Sequence, residues 1–113
     1  MSLSTHVLDA ARGRPAVGVA VTLQSRDGGG WVPVARATTD DDGRVRTWAG
    51  LPGGAAGAGD HRLVFATGPW FAAQGLQAFY PEVVVTFTVT DPREHHHVPL
   101  LLSPFAYSTY RGS

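Results

Sequence analysis

Glu82-Val83-Val84-Val85-Thr86-Phe87-Thr88-Val89-Thr90 is the stretch that decides the fold class of this chain. Valine or phenylalanine occupies every second position from 83 to 89, and threonine occupies positions 86, 88 and 90. Alternation with a period of two predicts a β-strand with one buried and one exposed face. A strand this regular indicates that the fold is built from sheets.

Shorter runs with the same alternation lie on both sides of this stretch, and clusters of Gly, Pro and Asp separate them. A Gly- and Ala-rich loop is predicted at 50–59, and one short helix is predicted over 70–79, ending before Pro81. Seven to eight short strands with one short helix predict an all-β fold, an antiparallel β-sandwich. The predicted strands cover residues 3–9, 17–26, 31–39, 44–48, 61–67, 82–90, 95–102 and 105–110.

The alternation also predicts which side chains share a face of their strand. In the first strand, Ser4 and His6 are expected on the face opposite Leu3. Two further sets are each expected on one face: Val17, Val19, Val21 and Leu23 in the second strand, and Arg44, Arg46 and Trp48 in the fourth.

Composition limits the class of protein. The 113 residues suit one domain, residues 1–113, and 43% hydrophobic residues against 16% charged ones are enough for a packed core. The formal net charge is 0, so we expect no nucleic-acid partner. The longest apolar runs are too short to span a membrane. The chain has no cysteine, which excludes a thiol nucleophile, a disulfide and a cysteine zinc site.

Signals near the two ends of the sequence bear on where the protein resides. Residues 1–9 lack the basic and long apolar segments of a secretory signal peptide, and the final Arg-Gly-Ser is not the peroxisomal tripeptide. On these grounds we expect a cytoplasmic protein.

The histidine run 95–97 is the clearest candidate for chemistry. Period-two alternation places His95 and His97 on one face of a strand and His96 on the other. Two histidines at this spacing could chelate a metal, but a third ligand is not obvious, since Glu94 is expected to point away. His61, a lone histidine on a strand, is expected to be structural or solvated.

The alternative for the histidines is general acid/base catalysis, because an unperturbed imidazole has a pKa of about 6.5. A hydrolase acting on a reactive cyclic amide needs a base for water and a positive charge for the developing oxyanion. His97 could supply the base, Arg44 the positive charge, and His6 could share the proton.

Two other features have competing explanations. Arg44 follows the turn Asp40–Gly43 directly, so it could simply be a solvated turn residue; an EF-hand is rejected because position 51 is Leu where that loop needs Glu. Ser113 could be a frayed end, yet Gly112 before it permits close approach to a ligand.

Several segments together resemble the 5-hydroxyisourate hydrolases, the transthyretin-related enzymes of purine degradation. The closing Tyr110-Arg111-Gly112-Ser113 is that family's signature, and the resemblance covers essentially the whole chain. The other matching segments are Leu3–Asp9, Gly13–Ala16, Thr39–Val45, Phe79–Val83 and the tail from His95 onward.

The resemblance implies a transthyretin-like (prealbumin-like) sandwich that opens the cyclic amide of 5-hydroxyisourate. We expect no cofactor and no metal among the site residues. It implies a homotetramer, a dimer of dimers, with the active sites in the channel between dimers. By the same resemblance, His6, Arg44 and His97 are the catalytic residues. The substrate-binding residues it implies are those of the tail, Tyr110, Arg111, Gly112 and Ser113.

Two departures from the family pattern are visible: His96 replaces a tyrosine and Ala106 replaces a glycine. Because His96 faces away from His97, we expect it to have little effect on chemistry. The competing functions are a transthyretin-like carrier of a small ligand and a non-catalytic adhesion or accessory domain. Neither of these needs the Tyr-Arg-Gly-Ser ending.

Overall fold

A computed structural model of the chain describes residues 2–51 and 57–113. The central part of the predicted loop 50–59 therefore lies outside the described residues. The described residues form nine strands and one helix: β1 Leu3–Asp9, β2 Arg14–Pro15, β3 Ala20–Asp27, β4 Gly30–Thr38, β5 Arg44–Val45, β6 Gly59–Phe65, α1 Thr67–Ala72, β7 Val83–Val89, β8 His96–Ser103 and β9 Ala106–Thr109.

The strands form two sheets. The second sheet has the order β4-β3-β6-β7, and all its pairs are antiparallel. In the first sheet β2, β1, β8 and β9 follow one another, and β5 also pairs with the β2 edge of β1. Strands β1 and β8 run parallel from the pair Leu3–His96 to the pair Asp9–Leu102. The predicted sandwich is confirmed, with this one parallel pair as the exception to its antiparallel character.

The inner faces of the two sheets form one hydrophobic core. Every second residue of β1 is buried, and Val7 and Leu100 of the first sheet are fully inaccessible. From the second sheet, Leu23, Leu63, Val83 and Val85 join the same cluster. The stretch that predicted the fold class thus buries its valine face as expected, and its Thr86 and Thr88 are exposed.

The segment after β5 turns inward instead of continuing as a strand. Trp48 is buried, and its indole nitrogen Nε1 donates a hydrogen bond of 2.9 Å to the Leu3 carbonyl oxygen. The prediction of a strand over 44–48 is therefore wrong beyond Val45, and Trp48 does not share a face with the exposed Arg46. A large indole gains more from burial in the core than a short edge strand gains from pairing.

The second strand and the helix also start and end differently from the prediction. Val17 is exposed in a turn, because Gly18 adopts a left-handed φ of 86° that interrupts any strand there. The helix covers 67–72 instead of 70–79, with Pro69 inside its first turn, where a missing N–H is harmless. It ends early because Gly75, at φ 71°, closes it while the Leu76 amide donates to the Phe71 carbonyl oxygen.

No helix in the described ranges is both long enough and apolar enough to cross a bilayer.

The turn before β5 fixes the position of Arg44. Asp40 accepts hydrogen bonds at Oδ1 from the amides of Asp42 and Arg44, each 2.9 Å long. The Gly43 carbonyl oxygen accepts a 2.7 Å bond from the Val7 amide, which ties the turn to β1. Gly43 has φ 74°, and a Cβ there would collide with the Val7 carbonyl oxygen. Only glycine fits this contact without displacing the strand.

We expect Gly43→Ala to destabilise the protein by roughly 3 kcal/mol or more, because left-handed strain of about 1 kcal/mol is joined by the collision with β1. Gly28→Ala is the matched control, since Gly28 has φ 64° and nothing within 4 Å of a Cβ. Its loss should be about 1 kcal/mol. Urea denaturation of both variants measures the difference, and equal losses would contradict the close contact.

Candidate active site

A cleft of about 280 Å³ opens on the outer face of the first sheet. Because strand pairing places Ser4 beside His97 and His6 beside Arg44, residues from both ends of the chain meet on this face. The residues that line the cleft are Ser4, Thr5, Arg44, Arg46, His95, His97 and Ser113.

The Ser4 hydroxyl joins the two histidines of the cleft. Its Oγ lies 2.7 Å from His97 Nδ1 and 3.0 Å from His95 Nε2. The rings of His95 and His97 are stacked, with centroids 6.4 Å apart and planes inclined by 16°. The prediction that these two histidines share a face is confirmed, and His96 is buried on the other face.

The two arginines of the cleft have different electrostatic surroundings. Arg46 is paired with Asp40 at 2.9 Å and with Asp42 at 3.5 Å. Arg44 forms no ion pair with any residue in the described ranges, and it is only partly exposed. The Arg44 guanidinium is therefore the positive charge that remains available to an anionic ligand or intermediate.

His6 lies beside Arg44 across the β1–β5 pair and is half-buried. His6 is not among the residues that line the cleft, but a positive charge on its ring contributes to lowering the pKa of His97. The structure thus brings the three residues predicted to act together, His6, Arg44 and His97, to one region of the first sheet.

Both His6 and His97 are biased toward the neutral form. Burial, followed by the charge of Arg44, lowers the pKa of His97 below 6.5, and His95 and His6 act in the same direction. Burial and then Arg44 also lower the pKa of His6, against a smaller opposing effect of the Asp42 backbone. A neutral imidazole has a free lone pair, which is the form needed to accept a proton.

The C-terminal segment crosses the edge of the cleft. The Gly112 amide donates a 2.9 Å hydrogen bond to the His97 carbonyl oxygen, and Ser113 lines the cleft. A Cβ on Gly112 would lie only 2.5 Å from His97 Cδ2. A side chain at position 112 would therefore force the tail or the imidazole ring to shift.

Tyr110 and Arg111 are not brought to this cleft within one chain. They line a second cavity of about 250 Å³ together with His96 and residues of β7. Arg111 pairs with Glu94 at 2.9 Å, and Tyr110 is 60% exposed. Of the four predicted tail residues, one protomer thus places Gly112 and Ser113 at the cleft.

A family model described as the HIUase/Transthyretin family matches residues 3–112, which is nearly the whole chain. The chain belongs to this family. The 5-hydroxyisourate hydrolase of Caulobacter vibrioides is 47% identical over 115 residues, covering 98% of this chain and 97% of that protein. The 5-hydroxyisourate hydrolase of Salmonella dublin is 46% identical over 112 residues, covering 98% and 80%.

Solved structures of the family include proteins with different names. The Klebsiella pneumoniae 5-hydroxyisourate hydrolase superposes with a TM-score of 0.85 at 35% identity, and the match covers 100% of both chains. Sea bream transthyretin in complex with thyroxine superposes with a TM-score of 0.89 at 31% identity, covering 99% of this chain and 95% of that one. The same fold therefore occurs in an enzyme and in a thyroxine-binding protein.

Compared with the residues predicted from the sequence, the cleft of this HIUase/transthyretin family member has four additional members. These are Ser4, Thr5, Arg46 and His95, and Ser4 contacts both histidines. The alternation of β1 predicts Ser4 on the same face as His6, and this pattern could have identified Ser4 as a site residue. The missing information was the parallel register that sets Ser4 beside His97.

The remaining histidines have structural partners. His61 is 4% exposed, and its ring nitrogens contact Ser25 Oγ at 2.7 Å and the Gly57 carbonyl oxygen at 2.7 Å. His96 Nδ1 donates to the Glu94 carbonyl oxygen at 3.0 Å. The structural interpretation of His61 is confirmed. Among residues 2–51 and 57–113, no three His, Cys, Asp or Glu residues are grouped to hold a metal ion.

We expect Gly112→Ala to displace the tail or the His97 ring, because the added methyl would overlap Cδ2. Ring resonances of His97 should shift in NMR spectra of the free protein, and the Gly112 amide should lose protection from hydrogen exchange. Gly29→Ala is the control, since a Cβ there meets nothing within 4 Å. Unchanged His97 resonances in Gly112→Ala would contradict this packing.

Proposed function

We propose that this chain is a 5-hydroxyisourate hydrolase of urate degradation. The reaction opens the cyclic amide of 5-hydroxyisourate with water and gives 2-oxo-4-hydroxy-4-carboxy-5-ureidoimidazoline. The supporting observation is that His97, with a lowered pKa, and Arg44, without a carboxylate partner in the described ranges, line one cleft with Ser113. Relatives at 46–47% identity carry the same name over nearly the whole chain.

The cleft offers the parts that hydrolysis of an activated cyclic amide needs. Neutral His97 takes a proton from water, so that hydroxide forms next to the carbonyl carbon it attacks. Arg44 balances the negative charge that develops on the carbonyl oxygen. His6, beside Arg44, helps to hold the proton taken from water. The histidines then donate that proton to the ring nitrogen that leaves the carbonyl carbon.

The size and polarity of the cleft favour a small polar substrate. Its volume of about 280 Å³ is at the lower end of the range for pockets that bind small molecules. Histidine, arginine, serine and threonine side chains line it, and no large apolar side chain among the described residues does. A carrier of a bulky apolar ligand is therefore not favoured, although the fold is shared with transthyretin.

The proposal includes a homotetramer, a dimer of dimers, in the cytoplasm. The cleft lies on an outer sheet face, where a second copy facing it would close it against bulk water. Tyr110 and Arg111 from a neighbouring copy could then orient the substrate ring as the family resemblance implies. A net charge of 0 favours such self-association, and a chain without cysteine suits a reducing compartment.

We expect His97→Ala to lower the rate of 5-hydroxyisourate hydrolysis roughly 10²–10⁴-fold, the usual contribution of a general base. Arg44→Ala should lower it about 10²–10³-fold, as loss of an oxyanion partner does. Arg36→Ala, an exposed arginine of the other sheet, should keep the wild-type rate. The assay follows freshly prepared substrate and subtracts its spontaneous decay. A His97→Ala protein with unchanged oligomeric state and full rate would refute the role of His97.

The pH dependence follows from the lowered pKa of His97. The base is the neutral form, so kcat/KM should rise with pH through the pKa of His97 in the free enzyme and then level off. Because burial and Arg44 lower that pKa, the midpoint of the rise should lie below 6.5. A pH–rate profile measures it, and a midpoint above 6.5 would contradict the neutral-base assignment.

A further inference from the structure

A chain of hydrogen bonds leads away from His97 to the surface, and the proposed hydrolysis does not yet use it. His97 Nδ1 contacts Ser4 Oγ, the same oxygen contacts His95 Nε2, and His95 Nδ1 contacts Ser2 Oγ. We propose that Ser4 and His95 are positioning residues for the hydrolase, fixing the tautomer of His97 and passing the proton that each turnover releases from His97 out to solvent.

The donor and acceptor count at Ser4 restricts the ring tautomers. A hydroxyl has one proton to donate and two lone pairs, and two imidazole nitrogens contact this one oxygen. At least one of the two rings must therefore donate its N–H to Ser4. If His97 Nδ1–H donates, the Ser4 hydroxyl donates to His95 Nε2, and His97 Nε2 keeps a free lone pair. This is the arrangement in which His97 can act as a base.

Proton transfer along this chain balances without any other reactant. His97 Nε2 takes a proton from water and returns that proton to the leaving nitrogen, so His97 is again neutral with its proton on Nδ1. The carboxylic acid formed by hydrolysis then gives its proton to Nε2. Nδ1 gives its proton to Ser4 Oγ, and the Ser4 hydroxyl gives its own proton to His95 Nε2, so the positive charge now resides on His95. His95 releases a proton to water, and both rings recover their starting tautomers by proton exchange with solvent.

The reaction needs such an exit, a point that rests on the function proposed above. Hydrolysis of an amide by water yields a carboxylic acid, which ionises fully near pH 7 because its pKa is about 4. One proton must therefore leave the site in every turnover. His95 is exposed, whereas His97 is half-buried, so His95 is the member of the pair that can release a proton to water.

The charges around His97 favour movement of the proton in this direction. Arg44 and Arg46 line the same cleft, and His6 lies two residues after Ser4 on the same face of β1. Of these three groups, Arg46 alone is paired with carboxylates of the described residues, those of Asp40 and Asp42. On the β8 side, Glu94 is paired with Arg111. A second positive charge on His97 would sit beside the unneutralised Arg44, while His95 lies nearer the solvent.

The structure also supplies a matched control for the serine–histidine contact. Ser25 Oγ lies 2.7 Å from His61 Nδ1, the same distance as in the Ser4–His97 pair, but in the second sheet and away from the cleft. Ser25→Ala removes an equivalent hydrogen bond. If losing such a hydrogen bond lowers stability, both serine variants will be less stable. Only Ser4→Ala will have an altered catalytic rate.

The first test needs no substrate. ¹⁵N NMR of histidine-labelled protein reports which ring nitrogen of His97 carries the proton. We expect Nδ1–H in the wild type at pH 8, a mixture of tautomers in Ser4→Ala, and recovery in Ser4→Thr, which keeps the hydroxyl. Ser25→Ala should leave the His97 signals unchanged. A His97 tautomer that is the same in Ser4→Ala as in the wild type would overturn the positioning role.

The second test is kinetic. At low buffer concentration, Ser4→Ala and His95→Ala should lower kcat about tenfold, less than loss of the base itself, with KM within about twofold. Added imidazole buffer should restore kcat, because it accepts the proton in place of His95. Full kcat in both variants, independent of buffer, would overturn the relay while leaving the hydrolase proposal intact. A wild-type protein without hydrolase activity would instead refute the proposed function, and the NMR result would still decide the positioning role.

Discussion

The parallel pairing of β1 with β8 is the constraint on which the site depends. Seven residue pairs, from Leu3–His96 to Asp9–Leu102, join segments at opposite ends of the chain. The register places Ser4 next to His97, and the other edge of β1 takes β5, which sets Arg44 next to His6. A shift of one residue would turn Ser4 and His6 into the core and Leu3 and Val7 out to solvent. The burial of Leu3 and Val7 therefore fixes the geometry of the cleft as firmly as the hydrogen bonds within it.

The cleft is electrostatically unusual because positive groups are gathered on one sheet face with little compensation. The carboxylates of the 40–42 turn are directed to backbone amides and to Arg46, and they leave Arg44 unneutralised among the described residues. Partial burial and Arg44 then keep His6 and His97 neutral near physiological pH. The same imbalance supplies a base and an anion-binding group, whereas a fully paired surface would supply neither.

The comparison with solved structures separates fold from function. Sea bream transthyretin superposes with a TM-score of 0.89 and the Klebsiella hydrolase with 0.85, so the overall match does not favour the enzyme. The case for the enzyme rests on side chains of this chain: His97 with Ser4, Arg44 without a carboxylate in the described ranges, and a glycine that lets the tail pass the imidazole. Function in this family therefore has to be argued from the site, since the sandwich accommodates more than one.

The sequence by itself determined the strands and the inner face of most of them, because alternation with a period of two reports burial directly. It also identified the histidines and the tail as the chemical features, through residue type and through a specific family signature. It placed the helix, the start of β3 and the segment after Val45 incorrectly. Gly18 and Gly75 adopt left-handed backbone conformations that residue type alone does not dictate, and Trp48 is buried through a contact with Leu3, which is distant in sequence. Only the tertiary structure decided that Ser4 and His95 join His97, and that Tyr110 and Arg111 lie elsewhere in a single protomer. The physical reason is that strand register depends on packing of the whole core, and no local pattern in β1 or β8 encodes which residue of the other strand lies beside it.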